Sequence, residues 1–239
     1  MNHLLILGAP RSGTSLLSSL LAKHDDIAVL YEDYGDSISK IIAKKYAANK
    51  LCIPNQIQLS TRRHKIRSMF FNFILRYQPF RSLLRNYRYP LSYMSIEDYL
   101  QLEGIKIVAI VRDGNDVVSS IMKRGINKDF HDASKWWVKA IETLYTVWEN
   151  NKNNVFLVTF DDMVSDSECV VKKLAEFLDV KYQEEMLEGY KYTPVYTGSS
   201  GIDASKARKK KSDAVDYKIK EKFPDAYNKY LKLNDAASS

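Results

Sequence analysis

Acidic side chains are absent from a long internal stretch. From Ser37 to Ile96 the chain has no Asp or Glu, while about a dozen Lys and Arg fall there, Arg62, Arg63, Arg67, Arg76, Arg81, Arg85 and Arg88 among them. Cysteine is scarce as well. Cys52 and Cys169 stand far apart and in no metal-ligand spacing, which excludes a disulfide framework and a zinc site and points to a reducing compartment. Long apolar runs are also missing. No stretch approaches the ~20 residues needed to span a bilayer, and Leu4–Leu7 is too short for a signal sequence, so a cytoplasmic location is expected. What remains is ordinary globular composition: 239 residues, 45% hydrophobic and 27% charged, suited to one α/β domain over 1–239. The net charge of +7 favours anionic partners without choosing among nucleotide, nucleic acid, acidic polysaccharide and membrane surface.

Strand-like and helix-like patterns alternate. His3–Leu7 is a short apolar run ending in a glycine turn, after which Leu16, Leu17, Leu20 and Leu21 recur at helical spacing. Ile27–Tyr31 reads as a second strand ending at Glu32. Ile105–Val111, rich in β-branched residues, reads as a central strand covered on both faces, with a helix starting near Asn115 or Asp116. Val155–Phe160 reads as a further strand, followed by an amphipathic helix over Cys169–Leu178. The alternation predicts a three-layer P-loop-type fold around a parallel sheet of about five strands, with ligands beyond the carboxyl ends of the strands. Residues 37–100 break the rhythm and read as a basic, mostly helical insert or lid.

The turn after the first strand carries chemistry. Gly8 and Gly13 are spaced as in a Walker loop, and a strand–glycine loop–helix junction points backbone N–H groups at an anion. Thr14 and Ser15 add hydroxyls. Thr14 stands where a Walker loop has its lysine, which disfavours nucleotide hydrolysis and kinase chemistry, and Arg11 puts a cation inside the loop instead.

Pro10-Arg11-Ser12-Gly13-Thr14-Ser15 resembles the phosphosulfate loop, P-[KR]-S-G-T-[ST], of sulfotransferases that use 3′-phosphoadenosine-5′-phosphosulfate (PAPS). The resemblance implies that Arg11, Ser12, Gly13, Thr14 and Ser15 hold the 5′-phosphosulfate, with Arg11 at the leaving oxygen. It also implies a 3′-phosphate site built from an Arg after a buried strand and a Ser eight residues later. Arg112 and Ser120 stand at that interval, and Arg124 follows Ser120 by one helical turn. Taken singly, these three are a strand-end charge, a small helix residue and a helix-end cation. Phe160 stands where many relatives have Tyr near the adenine. The strings resemble the tyrosylprotein and carbohydrate branches most.

Sulfuryl transfer requires a general base for the acceptor hydroxyl. Glu32, ending the second strand and expected beside the phosphate loop, matches the catalytic Glu of the tyrosylprotein branch. Asp33 is the runner-up, His64 sits in the basic segment, and His24 reads as structural. An Arg follows the Glu two positions on in that branch. Here Tyr34 stands there, which counts against protein tyrosine as acceptor. The aromatic-rich basic segment suits a hydroxyl acceptor on an anionic glycan or glycolipid, with peripheral membrane contact for Met69–Leu84 as a further reading. Lys206 or Arg208, after the Gly198–Gly201 loop, corresponds to the late basic loop that covers the nucleotide in relatives. No metal is implied and nucleic acid is disfavoured as a partner. The alternatives are a P-loop small-molecule kinase and a non-enzymatic basic module that binds nucleic acid or membrane. PAP, the product nucleotide, discriminates among the three.

Overall fold

The computed structural model describes residues 2–32, 44–60, 66, 95–126, 129–192 and 218–238. Its centre is a five-stranded sheet built from β1 (Asn2–Gly8), β2 (Ile27–Tyr31), β3 (Tyr46–Cys52), β4 (Lys106–Val111) and β5 (Val155–Thr159). The spatial order is β2-β3-β1-β4-β5 and every pairing is parallel. All carboxyl ends therefore lie along one edge. The chain leaves β1 towards β3 and β2, then returns to build β4 and β5 on the other side. The switch point of the topology thus falls between β1 and β4, where α/β sheets bind ligands.

Two apolar layers cover the sheet, and strand alternation assigns residues to them. Leu5 and Leu7 of β1 join Ile107, Ala109 and Val111 of β4 in one cluster, packed by α3 (Gly114–Lys123), α4 (Phe130–Asn150) and the carboxyl-terminal α8 (Pro224–Ala237). Leu4 and Ile6 join Val108, Ile110 and Val158 in the other, under α1 (Thr14–Ala22), α5 (Phe160–Ser165) and α6 (Ser167–Phe177). The short α2 (Ile96–Leu100) opens with a capping box at Ser95 and Asp98, and α7 (Ile219–Lys222) precedes α8. Helix α3 begins at Gly114, one residue before the earlier of the two expected starts, because the Asp113 side chain caps it by accepting from the Asn115 N–H at 2.9 Å. No helix among the described residues is long and apolar enough to cross a membrane.

The sequence reading missed β3. Its residues lie inside the segment read as a mostly helical insert, yet all seven are buried and form the strand next to β1. Tyr46-Ala47-Ala48-Asn49-Lys50-Leu51-Cys52 shows neither an apolar run nor a polar-apolar alternation. The small alanines fit between the two helical layers. Distant partners satisfy the polar positions: Asn49 Nδ2 donates to the Tyr99 hydroxyl at 3.0 Å, and Lys50 Nζ reaches Glu32 Oε1 at 2.6 Å.

Candidate active site

The loop after β1 is braced from within. Ser12 donates to the Ala9 carbonyl from its backbone N at 3.1 Å and from Oγ at 2.7 Å. Both donors of this buried residue point inward, so Ser12, expected among the anion ligands, shapes the loop instead. Arg11 adopts φ 72° and Gly13 φ 102°. The left-handed region costs an L-residue about 1–2 kcal/mol, and Gly13 has a second reason to be glycine. A Cβ there would lie 2.6 Å from Phe160 Cδ2 and 3.1 Å from both Ile110 Cδ1 and Met163 Cε.

Gly13 is also the N-cap of α1, which has no side-chain cap and no acidic residue in its first turn. Its leading N–H groups are thus available to an anion. Ser15 is half-buried at this helix start. Thr14 is buried, with Oγ1 3.6 Å from Cys52 Sγ.

Across the switch point, Arg112 follows β4 and turns onto the same loop. Its Nη1 donates to the Arg11 carbonyl at 3.2 Å, and Arg11 Nε donates to Ser120 Oγ at 3.2 Å. The Arg112/Ser120 interval read from the sequence therefore meets the glycine loop in space. The Arg112 Nε–H is buried and has no hydrogen-bond partner among the described residues. Asp116 Oδ2 stands 3.9 Å away, beyond hydrogen-bond reach. Burial lowers the Arg112 pKa, and Asp116, Asp161 and Asp113 oppose that shift. The guanidinium stays charged under such perturbation. A buried cationic donor without an acceptor is uncommon, and an anionic oxygen would satisfy it.

Two expected ligands sit elsewhere. Phe160, read as a partner for adenine, is 6% exposed. Its ring lies under Gly13 and under the Arg112 guanidinium, whose carbon is 3.8 Å from the ring centroid. The ring has no open face for a base and serves as the floor of the loop. Arg124 is exposed at the carboxyl cap of α3, a turn beyond Ser120, and is not part of the Arg11–Arg112–Ser120 contacts. Lys206, Arg208, Asp33, Tyr34 and His64 lie outside the described residues.

Glu32 follows β2 directly, with φ 57°, but not beside the loop as expected, because β3 intervenes between β2 and β1. Lys50 of the intervening β3 is paired in register with Tyr31 of β2 and Ile6 of β1. Lys50 Nζ lies 2.6 Å from Glu32 Oε1, with side-chain exposures of 2% and 35%. A buried ammonium requires such a partner. The sequence reading overlooked Lys50 because it stands in a basic stretch. Its neighbours show neither an apolar run nor an alternation, so no local signal marked it as a strand residue. His24 is structural: Nε2 is 2.8 Å from the Lys181 carbonyl, and Nδ1 accepts from the Asp26 N–H at 2.9 Å. No group of three or more His, Cys, Asp or Glu among the described residues is placed to hold a metal ion.

A parallel sheet of this order, a glycine loop feeding a helix, and a cation from the neighbouring strand define the P-loop-type α/β class. Residues 3–184 match the sulfotransferase family model, and the chain belongs to that family. It is similar to protein-tyrosine sulfotransferase 1 of Danio rerio, at 23% identity over 243 residues, covering 90% of this chain and 62% of that protein. The chain thus spans less than two thirds of that relative's length. The fold is similar to a sulfotransferase domain from the curacin biosynthetic pathway, with a TM-score of 0.60 at 16% identity, covering 99% of this chain and 97% of that one. It is also similar to a mouse sulfotransferase crystallised with PAP, with a TM-score of 0.56 at 14% identity, covering 99% and 86%.

Proposed function

We propose that the protein transfers a sulfuryl group from PAPS to an acceptor hydroxyl by direct in-line displacement. One observation carries the reading. Arg112, from the strand beyond the switch point, bonds the carbonyl of Arg11 at 3.2 Å, while Arg11 bonds Ser120 at 3.2 Å. Two anion-binding features then share a wall, as a nucleotide with a phosphate on each side of its ribose requires. The orphan Arg112 Nε–H supports the same fit.

Arg112 and Ser120 bind the 3′-phosphate in this reading. The N–H groups at the start of α1, with the hydroxyls of Thr14 and Ser15, bind the 5′ group, and Arg11 lies at the bridging oxygen. Bound there, PAPS supplies the sulfuryl group and PAP is the leaving product. Glu32 accepts the acceptor's proton, and Lys50 holds that carboxylate in place through the 2.6 Å ion pair. Preorganised cations and amides around developing charge are the main source of acceleration in such transfers. The missing Walker lysine weighs against a kinase.

The acid-free, aromatic-rich basic segment favours a carbohydrate or glycolipid hydroxyl as acceptor, with peripheral membrane contact for a glycolipid. Lys206 is assigned to the loop over the nucleotide on family resemblance. Calorimetry with PAP, ADP and an oligonucleotide tests the donor. PAP should bind at one site, clearly tighter than ADP. Equal binding of PAP and ADP, or oligonucleotide binding with steep salt dependence, refutes it. Radiolabelled PAPS offered to glycans, glycolipids, phenols and peptides tests the acceptor, and label entering peptides alone would refute the carbohydrate assignment.

A further inference from the structure

We propose that Trp137 is a positioning residue for the nucleotide, acting through Arg112. The inference rests on the assignment of Arg112 to the 3′-phosphate. Arg112 is the first residue beyond β4, so its carbonyl has left the sheet ladder. The indole Nε1–H of Trp137 donates to that carbonyl at 3.0 Å. Trp137 is 0% exposed, in the middle of α4, and its ring pairs with Tyr230 of α8 at a centroid distance of 6.0 Å. Gly114 presses on the same indole. A Cβ added there would lie 2.9 Å from Trp137 Cε2 and 2.8 Å from Ile219 Cγ2.

The backbone carrying the guanidinium is therefore pinned at four successive residues. Val111 is in the ladder with Thr159, the Arg112 carbonyl is on the indole, Asp113 caps α3, and Gly114 is against the ring. Fixing the Arg112 peptide plane limits where its side chain points, onto Phe160 and the Arg11 carbonyl. A buried tryptophan in an amphipathic helix looks like core in sequence. Its N–H at this one carbonyl gives it a role that ring volume alone does not.

Trp137→Phe keeps an aromatic ring and removes the donor. One lost hydrogen bond corresponds to about 5- to 10-fold in affinity. The expected result is that PAP weakens by that factor while adenosine 5′-monophosphate (AMP) stays within about twofold, and that KM for PAPS rises with kcat retained. In an Arg112→Ala background, Trp137→Phe should change PAP affinity no further. Should the single variant fold poorly, as Tm would reveal, the wild-type protein supplies the test: the Trp137 indole N–H resonance should move with PAP and stay with AMP. Unchanged PAP affinity in a folded variant, equal losses for PAP and AMP, the same loss without Arg112, or a resonance indifferent to PAP overturns the proposal. Wild-type protein that does not prefer PAP to AMP refutes the nucleotide reading itself. Preserved preference in Trp137→Phe refutes only the role of Trp137.

Discussion

In the proposed reading Arg112 binds the second phosphate, and the cost of replacing it with alanine can be worked from its contacts. The side chain is 18% exposed, so its bonds to a phosphate form largely out of water. Hydrogen bonds to charged groups contribute about 1.5–3 kcal/mol each. The orphan Nε–H and one further guanidinium N–H together give about 3–6 kcal/mol, or roughly 150- to 25,000-fold in PAP affinity. AMP lacks the 3′-phosphate but still feels the lost brace on the Arg11 carbonyl at 3.2 Å. One such bond is about 1 kcal/mol, roughly fivefold. Calorimetric titration of both nucleotides into wild type and Arg112→Ala should therefore show the PAP/AMP preference collapsing by about 30-fold or more, the smallest difference these ranges allow. Losses equal for the two ligands would refute the assignment of Arg112, because a merely structural role disturbs the shared loop alike in both complexes.

Three further outcomes follow from the same geometry. Glu32→Gln should lower turnover by about 100-fold or more while PAP binding is spared, as expected for removal of a general base, and near-normal turnover would remove Glu32 from the mechanism. Lys50→Met removes a 2% exposed ammonium from a carboxylate 2.6 Å away. Breaking a fully buried pair costs about 3–5 kcal/mol, and the partial exposure of Glu32 brings the expectation to about 1–3 kcal/mol in urea unfolding, together with reduced turnover. Gly13→Ala places a Cβ 2.6 Å from Phe160 Cδ2 at φ 102°, so PAP binding should be lost or the fold weakened by more than about 2 kcal/mol, and wild-type affinity with wild-type stability would contradict the account of the loop.

The sequence carried much of this arrangement because part of it is local. β1, β2, β4 and β5 are apolar or β-branched runs, and the glycine loop and the Arg112/Ser120 interval are fixed by short spacings at strand ends. β3 was illegible because its stability is not local: Asn49 and Lys50 are tolerated only through Tyr99 and Glu32, which lie far along the chain. That omission also misplaced Glu32 by one strand. The placement of the Ser12 and Phe160 side chains was not legible for a related reason. A motif states which residues occupy a loop, but not that the Ser12 hydroxyl turns back to Ala9 or that the Phe160 ring fills the space under Gly13 and Arg112. Trp137 could be read as core from its surroundings. The direction of its N–H appears only when α4 is laid against the end of β4.

Phosphorus NMR of PAP during titration with the protein tests the shared-wall geometry most directly. Both the 3′- and the 5′-phosphate resonances should shift and saturate together at one equivalent if, as proposed, one molecule spans Arg112 and the α1 amides. A shift of the 5′ resonance alone, with the 3′ signal unmoved at saturation, would contradict it.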